Sequence, residues 1–258
     1  MELYGNEFYD IAMLSDIGER KDNQDAVGCV TQKGQAALAL CDGMGGFEDG
    51  GKASSFAVSA FLRLYRQREP FESGMNISDF LVYAMDFADN HIACFKNEQG
   101  ENVRAGSTCI FVLLHGKEMY CLSVGDSRLY ILRNRRLTQL TRDHTVAFQA
   151  RRNYEQGKIN RDAYEAAVSD NKTLCSYLGL NGIEIYDVNS EKYSLKNGDK
   201  LLLATDGLYR SLSAEAIEGI MTKSHSSELI ARQLILSALK AGKGKNQDNA
   251  SAIVCIVK

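Results

Sequence analysis

The chain has 258 residues, 45% hydrophobic and 24% charged, which excludes wholesale disorder and allows one large core or two smaller ones. Its 30 basic and 33 acidic side chains leave a net charge of −3, so composition gives no reason to expect nucleic-acid binding. The longest apolar runs, such as residues 110–114, fall far short of a membrane span.

In chain order, apolar runs predict strands at 9–16, 26–31 and 35–41, with a loop carrying Arg20 and Asp25 between the first two. Phe56, Ala60 and Leu64 at helical spacing predict a helix over 51–68, closed by Pro70. A second helix is predicted over 77–96, with Phe80, Ala84, Phe87, Ile92 and Phe95 on one face and Asn76 or Ser78 as cap. Four strands follow as a meander, at 108–114, 119–124, 128–133 and 137–140. Residues 144–175 are polar, interrupted and helix-prone, and read as a helical flap over a site. Strands resume at 183–188 and 200–205, helices are expected at 214–221 and 227–239, and a last strand covers 250–257. Antiparallel runs with helices gathered in pairs predict an α+β sandwich, because a parallel doubly wound sheet needs regular strand–helix alternation. No linker rich in Gly, Ser or Pro divides residues 1–258, so they read as a single domain.

The seven cysteines form no C-x-x-C pair, and Cys29, Cys41, Cys109, Cys121 and Cys255 sit in apolar, strand-like runs. Free thiols in a reducing cytosol are the expectation. The first residues lack a basic region followed by a long apolar core, so no secretion signal is visible and a cytoplasmic location is expected.

Five acidic segments carry the chemistry: Asp25 after Arg20, then Asp42-Gly43, Asp126 between Gly125 and Ser127, Asp206-Gly207, and Asp248-Asn249. Aspartates at strand ends cost folding energy unless something positive neutralises them. Hard divalent cations with oxygen ligands do this, and two of them roughly 3.5–4 Å apart can activate a water against a phosphate ester. Gly43 has no side chain, so its carbonyl can approach a metal closely. Arg20 offers a bidentate fork for phosphate. Taken singly, each Asp-Gly is an ordinary turn, Asp143-His144 an ordinary helix cap and Arg128 an ordinary surface or packing arginine. The number, order and type of the segments together weigh against those readings.

Seven segments stand in one order: Arg-x-x-Asn-Gln-Asp at 20–25, Asp-Gly-x-Gly-Gly at 42–46, Gly-Ser-Thr at 106–108, Val-Gly-Asp-Ser-Arg at 124–128, Leu-Thr-x-Asp-His-Thr at 140–145, Asp-Gly-Leu at 206–208 and Asp-Asn at 248–249. By them the chain resembles the metal-dependent Ser/Thr protein phosphatases of type 2C, in their compact bacterial form, over residues 15–257. The resemblance implies a four-layer α/β/β/α sandwich, two antiparallel β-sheets flanked by helices, with residues 145–175 as a flap subdomain over the active site. It implies that Asp42 bridges two metals with the Gly43 carbonyl on one of them, and that Asp206 and Asp248 ligate the other. Asp126, with Asp206, would form a weaker third metal site. Catalytic roles fall to Arg20, which would hold the substrate phosphate, and Asp25, which would orient water from behind the ligands. Asn249 and Thr108 would support the site. The implied cofactor is Mn²⁺ or Mg²⁺, two ions bound tightly and a third more weakly. The implied substrates are phosphorylated proteins, targets of a Ser/Thr kinase, acted on by a cytoplasmic monomer that needs no nucleic acid or membrane.

This chain departs from the pattern in three places. The usual Gly-x-x-Arg spacing is one residue shorter, Gly18-Glu19-Arg20, so the reach of Arg20 is a question for the structure. Met44 stands where many eukaryotic members carry a histidine general acid. Arg210 stands where an acidic residue is frequent after Asp-Gly-Leu.

Other hydrolytic chemistries lack their residues. No cysteine has an arginine six positions on, no early Asp-x-Asp pair is present, and no Gly-rich phosphate loop with Lys occurs. The main alternative is a pseudophosphatase, the same fold kept as a regulatory binding module. The presence of Asp42, Asp126, Asp206, Asp248 and Arg20 favours an enzyme. A phosphatase for small phosphoesters also fits a site that recognises phosphate and metal more than peptide.

Overall fold

The computed structural model describes residues 1–45, 49–97, 99–169 and 172–258. Gly46, which closes the 42–46 segment, and residues 170–171 of the expected flap lie outside the described residues. The chain begins with strands β1 (Glu2–Gly5), β2 (Tyr9–Asp16), β3 (Asp25–Gln32) and β4 (Gln35–Gly45), followed by helices α1 (Asp49–Arg68) and α2 (Ile77–Ala93). Next come β5 (Ala105–Ser107), β6 (Cys109–His115), β7 (Glu118–Val124), β8 (Arg128–Arg133) and β9 (Arg136–Gln139), then α3 (Val146–Glu155) and α4 (Arg161–Val168). The last third holds β10 (Asp187–Val188), β11 (Tyr193–Ser194), β12 (Lys200–Ala204), α5 (Asp206–Tyr209), α6 (Ala214–Lys223), α7 (Ser227–Gly242) and β13 (Ala250–Val257).

Two antiparallel sheets result. One runs β1-β2-β13-β12-β8-β9, and the other runs β10-β7-β6-β4-β3 with β11 beside β7 and β5 beside β4. Alternation along β4 shows how they stack. Leu38 and Leu40 point between the sheets, where they meet Ile110, Val112, Leu203 and Ile253. Ala37, Ala39 and Cys41 point the other way, into a layer with Phe61 of α1 and Phe80 of α2. On the far side, Leu202 and Val254 pack against Ile217 and Met221 of α6 and Ile230 and Leu234 of α7. Strands covered on both faces need apolar residues at every position, which is why they read as runs rather than alternations. The architecture is the α+β, four-layer α/β/β/α sandwich that the resemblance implies.

Several boundaries differ from expectation. Strand β4 continues past Cys41 through the Asp42–Gly43 step, because β5 supplies a partner for Gly43, Met44 and Gly45. The strand expected at 183–188 is reduced to Asp187–Val188, since Ile183 and Tyr186 pack sideways onto the helix-side core instead of joining a ladder. Helix α2 stops at Ala93, where the Cys94 N–H turns back to the His91 and Ile92 carbonyls. The strands β1, β5 and β11 were not anticipated, because two to four residues carry too little pattern.

The 145–175 stretch is helical, as expected, in α3 and α4, whose Tyr154 and Tyr164 rings stack at 4.8 Å. Its two ends are clasped together by a bridge between Thr145 and Leu174 and by the Cys175 N–H on the His144 carbonyl at 3.0 Å. All seven cysteines are free thiols. Among the described residues, no helix is long and apolar enough to cross a membrane.

Candidate active site

The acidic segments meet at one end of the sandwich. In an antiparallel pair the start of one strand lies beside the end of its neighbour. Asp25 opens β3 directly opposite Asp42 on β4. Ala204, the last residue of β12, lies opposite Ala252 of β13 and Arg128 at the start of β8. Asp206 therefore leaves β12 at the end where Asp248 enters β13. Asp126 rides on the connection from β7 to β8, which steps from one sheet to the other. Asp42, Gly43, Asp126, Asp206, Asp248 and Arg20 line one cleft of about 1030 Å³, together with Thr108 and Asn249. Lys172, Thr173 and Leu174, at the C-terminal end of the flap segment, and Tyr177 just after it form part of its wall.

Hydrogen bonds fix each carboxylate-bearing segment. The Asp42 N–H donates to Thr108 Oγ1 at 2.9 Å, and the Thr108 N–H donates to the Asp42 carbonyl at 2.8 Å. The Thr108 hydroxyl in turn shares a 2.7 Å hydrogen bond with Ser127, beside Asp126. The Gly43 N–H donates to the Gln24 carbonyl at 3.0 Å, and a Cβ at Gly43 would lie 2.1 Å from the Gly50 carbonyl oxygen. Only glycine lets the start of α1 press this closely on the strand. Asn249 Nδ2 donates to the carbonyls of Ile17 and Asp22, and its Oδ1 accepts from the Gln24 N–H at 2.8 Å. Asn249 thus staples the loop that bears Arg20 and Asp25 onto β13.

Arg20 reaches the site despite the shortened spacing. Glu19 compensates: its N–H donates to the Gln247 carbonyl, and its carboxylate accepts from the Gly244 and Gln247 N–H groups. This docks the loop beside Asp248, and Arg20 Nη2 lies 2.8 Å from Asp248 Oδ2. Behind the cleft, Asp25 Oδ2 accepts from the Thr205 hydroxyl at 2.8 Å and the Ser251 hydroxyl at 2.7 Å. Asp126 Oδ2 accepts from Tyr209 Oη at 3.0 Å and from Arg210 Nη2 at 2.9 Å, and Arg210 Nε stands 3.2 Å from Asp206 Oδ2.

Asp143 is not a helix cap. It takes a two-pronged ion pair from Arg128, at 3.0 and 2.6 Å, while Thr145 caps α3. Arg128 is a packing arginine, its guanidinium 3.7 Å from the centre of the Tyr209 ring, so it braces the residue that holds Asp126. Sequence reasoning gave no role to Glu19, Thr205, Tyr209, Arg210 or Ser251. Arg210 carried a usable signal, because a residue four positions after Asp206 on a helix shares its face. Thr205 and Ser251 carried none, since hydroxyl residues beside strand ends are ordinary.

The carboxylates oppose one another. Burial pushes Asp25 up to about 7; the two hydroxyls work against the shift, and Asp206 and Asp248 add to it. Burial raises Asp42 well above the usual range, reinforced by Asp25, Asp206, Asp126 and Asp248. Asp206 is pushed up to about 6 by burial, against the pull of Arg210. Carboxylates held this way favour an added positive charge. Among the described residues, no three His, Cys, Asp or Glu side chains close on one point as a protein-only metal cage would. A loose ring of carboxylate oxygens with the Gly43 carbonyl suits hard divalent cations that keep several of their waters.

Comparison with known proteins agrees with this chemistry. The family described as Protein phosphatase 2C matches residues 15–238. The serine/threonine protein phosphatase PstP of Mycobacterium tuberculosis is 30% identical over 247 residues, covering 95% of this chain and 44% of that protein. The chain therefore spans less than half the length of the mycobacterial relative. The serine/threonine phosphatase stp of Listeria monocytogenes is 25% identical over 91% of this chain and 90% of its own length. Among solved structures, the catalytic domain of PstP in complex with two manganese ions superposes with a TM-score of 0.75 at 28% identity, covering 97% of this chain and 98% of that one.

Proposed function

The chain belongs to the protein phosphatase 2C family, and from that premise we propose that it hydrolyses phosphoserine and phosphothreonine on proteins with the help of two divalent metal ions. The observation that carries the reading is the convergence of Asp42, Asp126, Asp206 and Asp248 on one cleft that Arg20 also lines. Asp42 and the Gly43 carbonyl, with Asp206 and Asp248, are the groups that would hold a pair of Mn²⁺ or Mg²⁺ ions. When bound, such ions acidify water near neutral pH and offset charge on the phosphoryl oxygens.

The remaining work falls to the chain's own side chains. Arg20 is 44% exposed at the cleft mouth, so its guanidinium can turn from Asp248 to two oxygens of an incoming phosphate. Asp25 has one carboxylate oxygen committed to the Thr205 and Ser251 hydroxyls. Its other oxygen, Oδ1, would orient the attacking water by accepting a hydrogen bond from it. Met44 offers no proton, so the leaving hydroxyl takes its proton from solvent in the cleft. Thr108 and Asn249 keep the carboxylates in register. Residues 145–175, as a flap on a single 1–258 domain, would shape access for the peptide. The proposed setting is a cytoplasmic monomer opposing a Ser/Thr kinase.

The test is release of phosphate from phosphothreonine and phosphotyrosine peptides side by side, with Mn²⁺, with Mg²⁺ and with chelator. Metal-dependent release from phosphothreonine supports the reading. No release with either metal would reduce the chain to a regulatory binding module of the same fold, and equal turnover of a small aryl phosphate and every peptide would point to small phosphoesters.

A further inference from the structure

The resemblance assigns Asp126 and Asp206 to a third, weaker metal. The structure seats a side chain there instead. Arg210 places Nη2 2.9 Å from Asp126 Oδ2 and Nε 3.2 Å from Asp206 Oδ2, so one guanidinium spans both carboxylates. The position is built rather than incidental. Arg210 caps the C-terminus of α5, and its N–H closes the turn onto the Asp206 carbonyl at 2.9 Å. Residues four apart on such a turn lie on one face, which brings the arginine side chain to Asp206. The neighbouring Tyr209 hydroxyl adds a second donor to the same Asp126 oxygen at 3.0 Å, and Arg128 packs over the Tyr209 ring.

These contacts do not fit a third cation. An ion taking Oδ2 of Asp126, whose side chain is only 7% exposed, would have to displace both donors, and an ion on either oxygen would sit beside a guanidinium that cannot lose its proton. The guanidinium already supplies the positive charge that two close carboxylates require. We propose that Arg210, held between Asp126 and Asp206, takes the place of a third metal ion, so that this chain binds two divalent cations and not three. The proposal rests on the two-metal reading of the site. Positive charge at this place is then covalently built in and does not depend on metal concentration.

The experiment is metal stoichiometry, by equilibrium dialysis with elemental analysis and by calorimetric titration with MnCl₂ into the folded full chain. The native chain should saturate at two Mn²⁺ with no later, weak phase up to about 10 mM, the upper end of weak extracellular-type affinities being about 1 mM. Arg210→Ala and Arg210→Asp should each gain a third, weaker ion. In the native background, Asp126→Asn should leave the count at two. Three ions on the native chain, or a loss of one ion in Asp126→Asn, would overturn the proposal and leave the paired-metal reading standing. A count of two in every Arg210 variant that keeps a native circular dichroism spectrum would also overturn it. Fewer than two ions on the native chain would overturn both readings. Should the alanine and aspartate variants unfold, Arg210→Gln and the native and Asp126→Asn counts still decide.

Discussion

Asp25 and Asp42 are ladder partners on adjacent strands, so two carboxylates stand side by side at the end of one sheet, both raised chiefly by burial, with Asp25 adding to the shift at Asp42. Burial of these carboxylates makes stability a function of pH and of bound metal.

Without divalent metal, Asp25 titrates near 7 and Asp206 near 6 in the folded chain, against about 3.9 for an unfolded aspartate. Between about pH 4 and 7 the folded state then holds more protons than the unfolded state, so stability falls as pH rises through that window. Melts in chelator from pH 5 to 8 should show a falling Tm, and Asp25→Asn should flatten the slope. Excess Mn²⁺ should raise Tm most at the high-pH end, because binding needs ionised carboxylates. A Tm in chelator that climbs with pH, or identical melts with and without Mn²⁺, would contradict the site's electrostatics.

Arg20 should act in substrate binding. Losing a charge-assisted hydrogen-bond pair removes about 1.5–3 kcal/mol, so Arg20→Ala should raise KM for a phosphothreonine peptide about ten- to a hundredfold with a smaller fall in kcat. An unchanged KM rejects the clamp.

Asp42→Asn keeps the side-chain volume and the backbone bonds to Thr108 but removes the charge that faces the cleft. Turnover should fall by at least about two to three orders of magnitude, the scale on which one electrostatic stabiliser acts. The circular dichroism spectrum should stay native. Substantial remaining activity would count against Asp42 as the bridging group.

Thr108→Val leaves the Asp42 N–H and the Ser127 hydroxyl without their shared oxygen. The buried donors should cost about 1–3 kcal/mol in urea unfolding, and Mn²⁺ affinity should weaken as well. If unfolding and metal binding are both unchanged, Thr108 does not hold the Asp42 segment.

Gly207→Ala would place a methyl 2.0 Å from the Asn249 carbonyl oxygen, a backbone atom that cannot rotate away. Overpacking of this kind costs about 1–3 kcal/mol. Because the strained contact ties α5 to β13, the loss should appear in Tm and in metal affinity together.

The sequence carried the sandwich well because its central strands are covered on both faces. Residues 36–41 of β4 and 252–257 of β13 are apolar throughout, and no surface strand would tolerate that. The aspartates were legible for a related reason. Asp42, Asp126 and Asp206 each end an apolar run beside a glycine, which is costly unless the break has a use. What escaped notice was either too short or too ordinary. Strand β5, three residues long, is defined by its pairing with Gly43–Gly45 and by nothing in its own pattern. Thr205 and Ser251 look like any strand-end hydroxyls until their partner Asp25, about two hundred positions away in sequence, is brought beside them. Arg210 was visible as a departure from the family pattern, but its role needed the distance to Asp126.

The two sheets each contribute part of the cleft: Asp42, with Asp25 behind it, from one, Asp206 and Asp248 from the ends of strands in the other. The apolar filling between them, including Leu38, Ile110, Leu203 and Ile253, therefore works as a gauge block that sets the gap across which the acidic oxygens face one another. A methyl group added to or trimmed from that filling would retune the chemistry from the interior, with no reacting atom touched. Natural variants in this layer should accordingly be sorted by the separation they impose on the sheets as well as by the stability they lose.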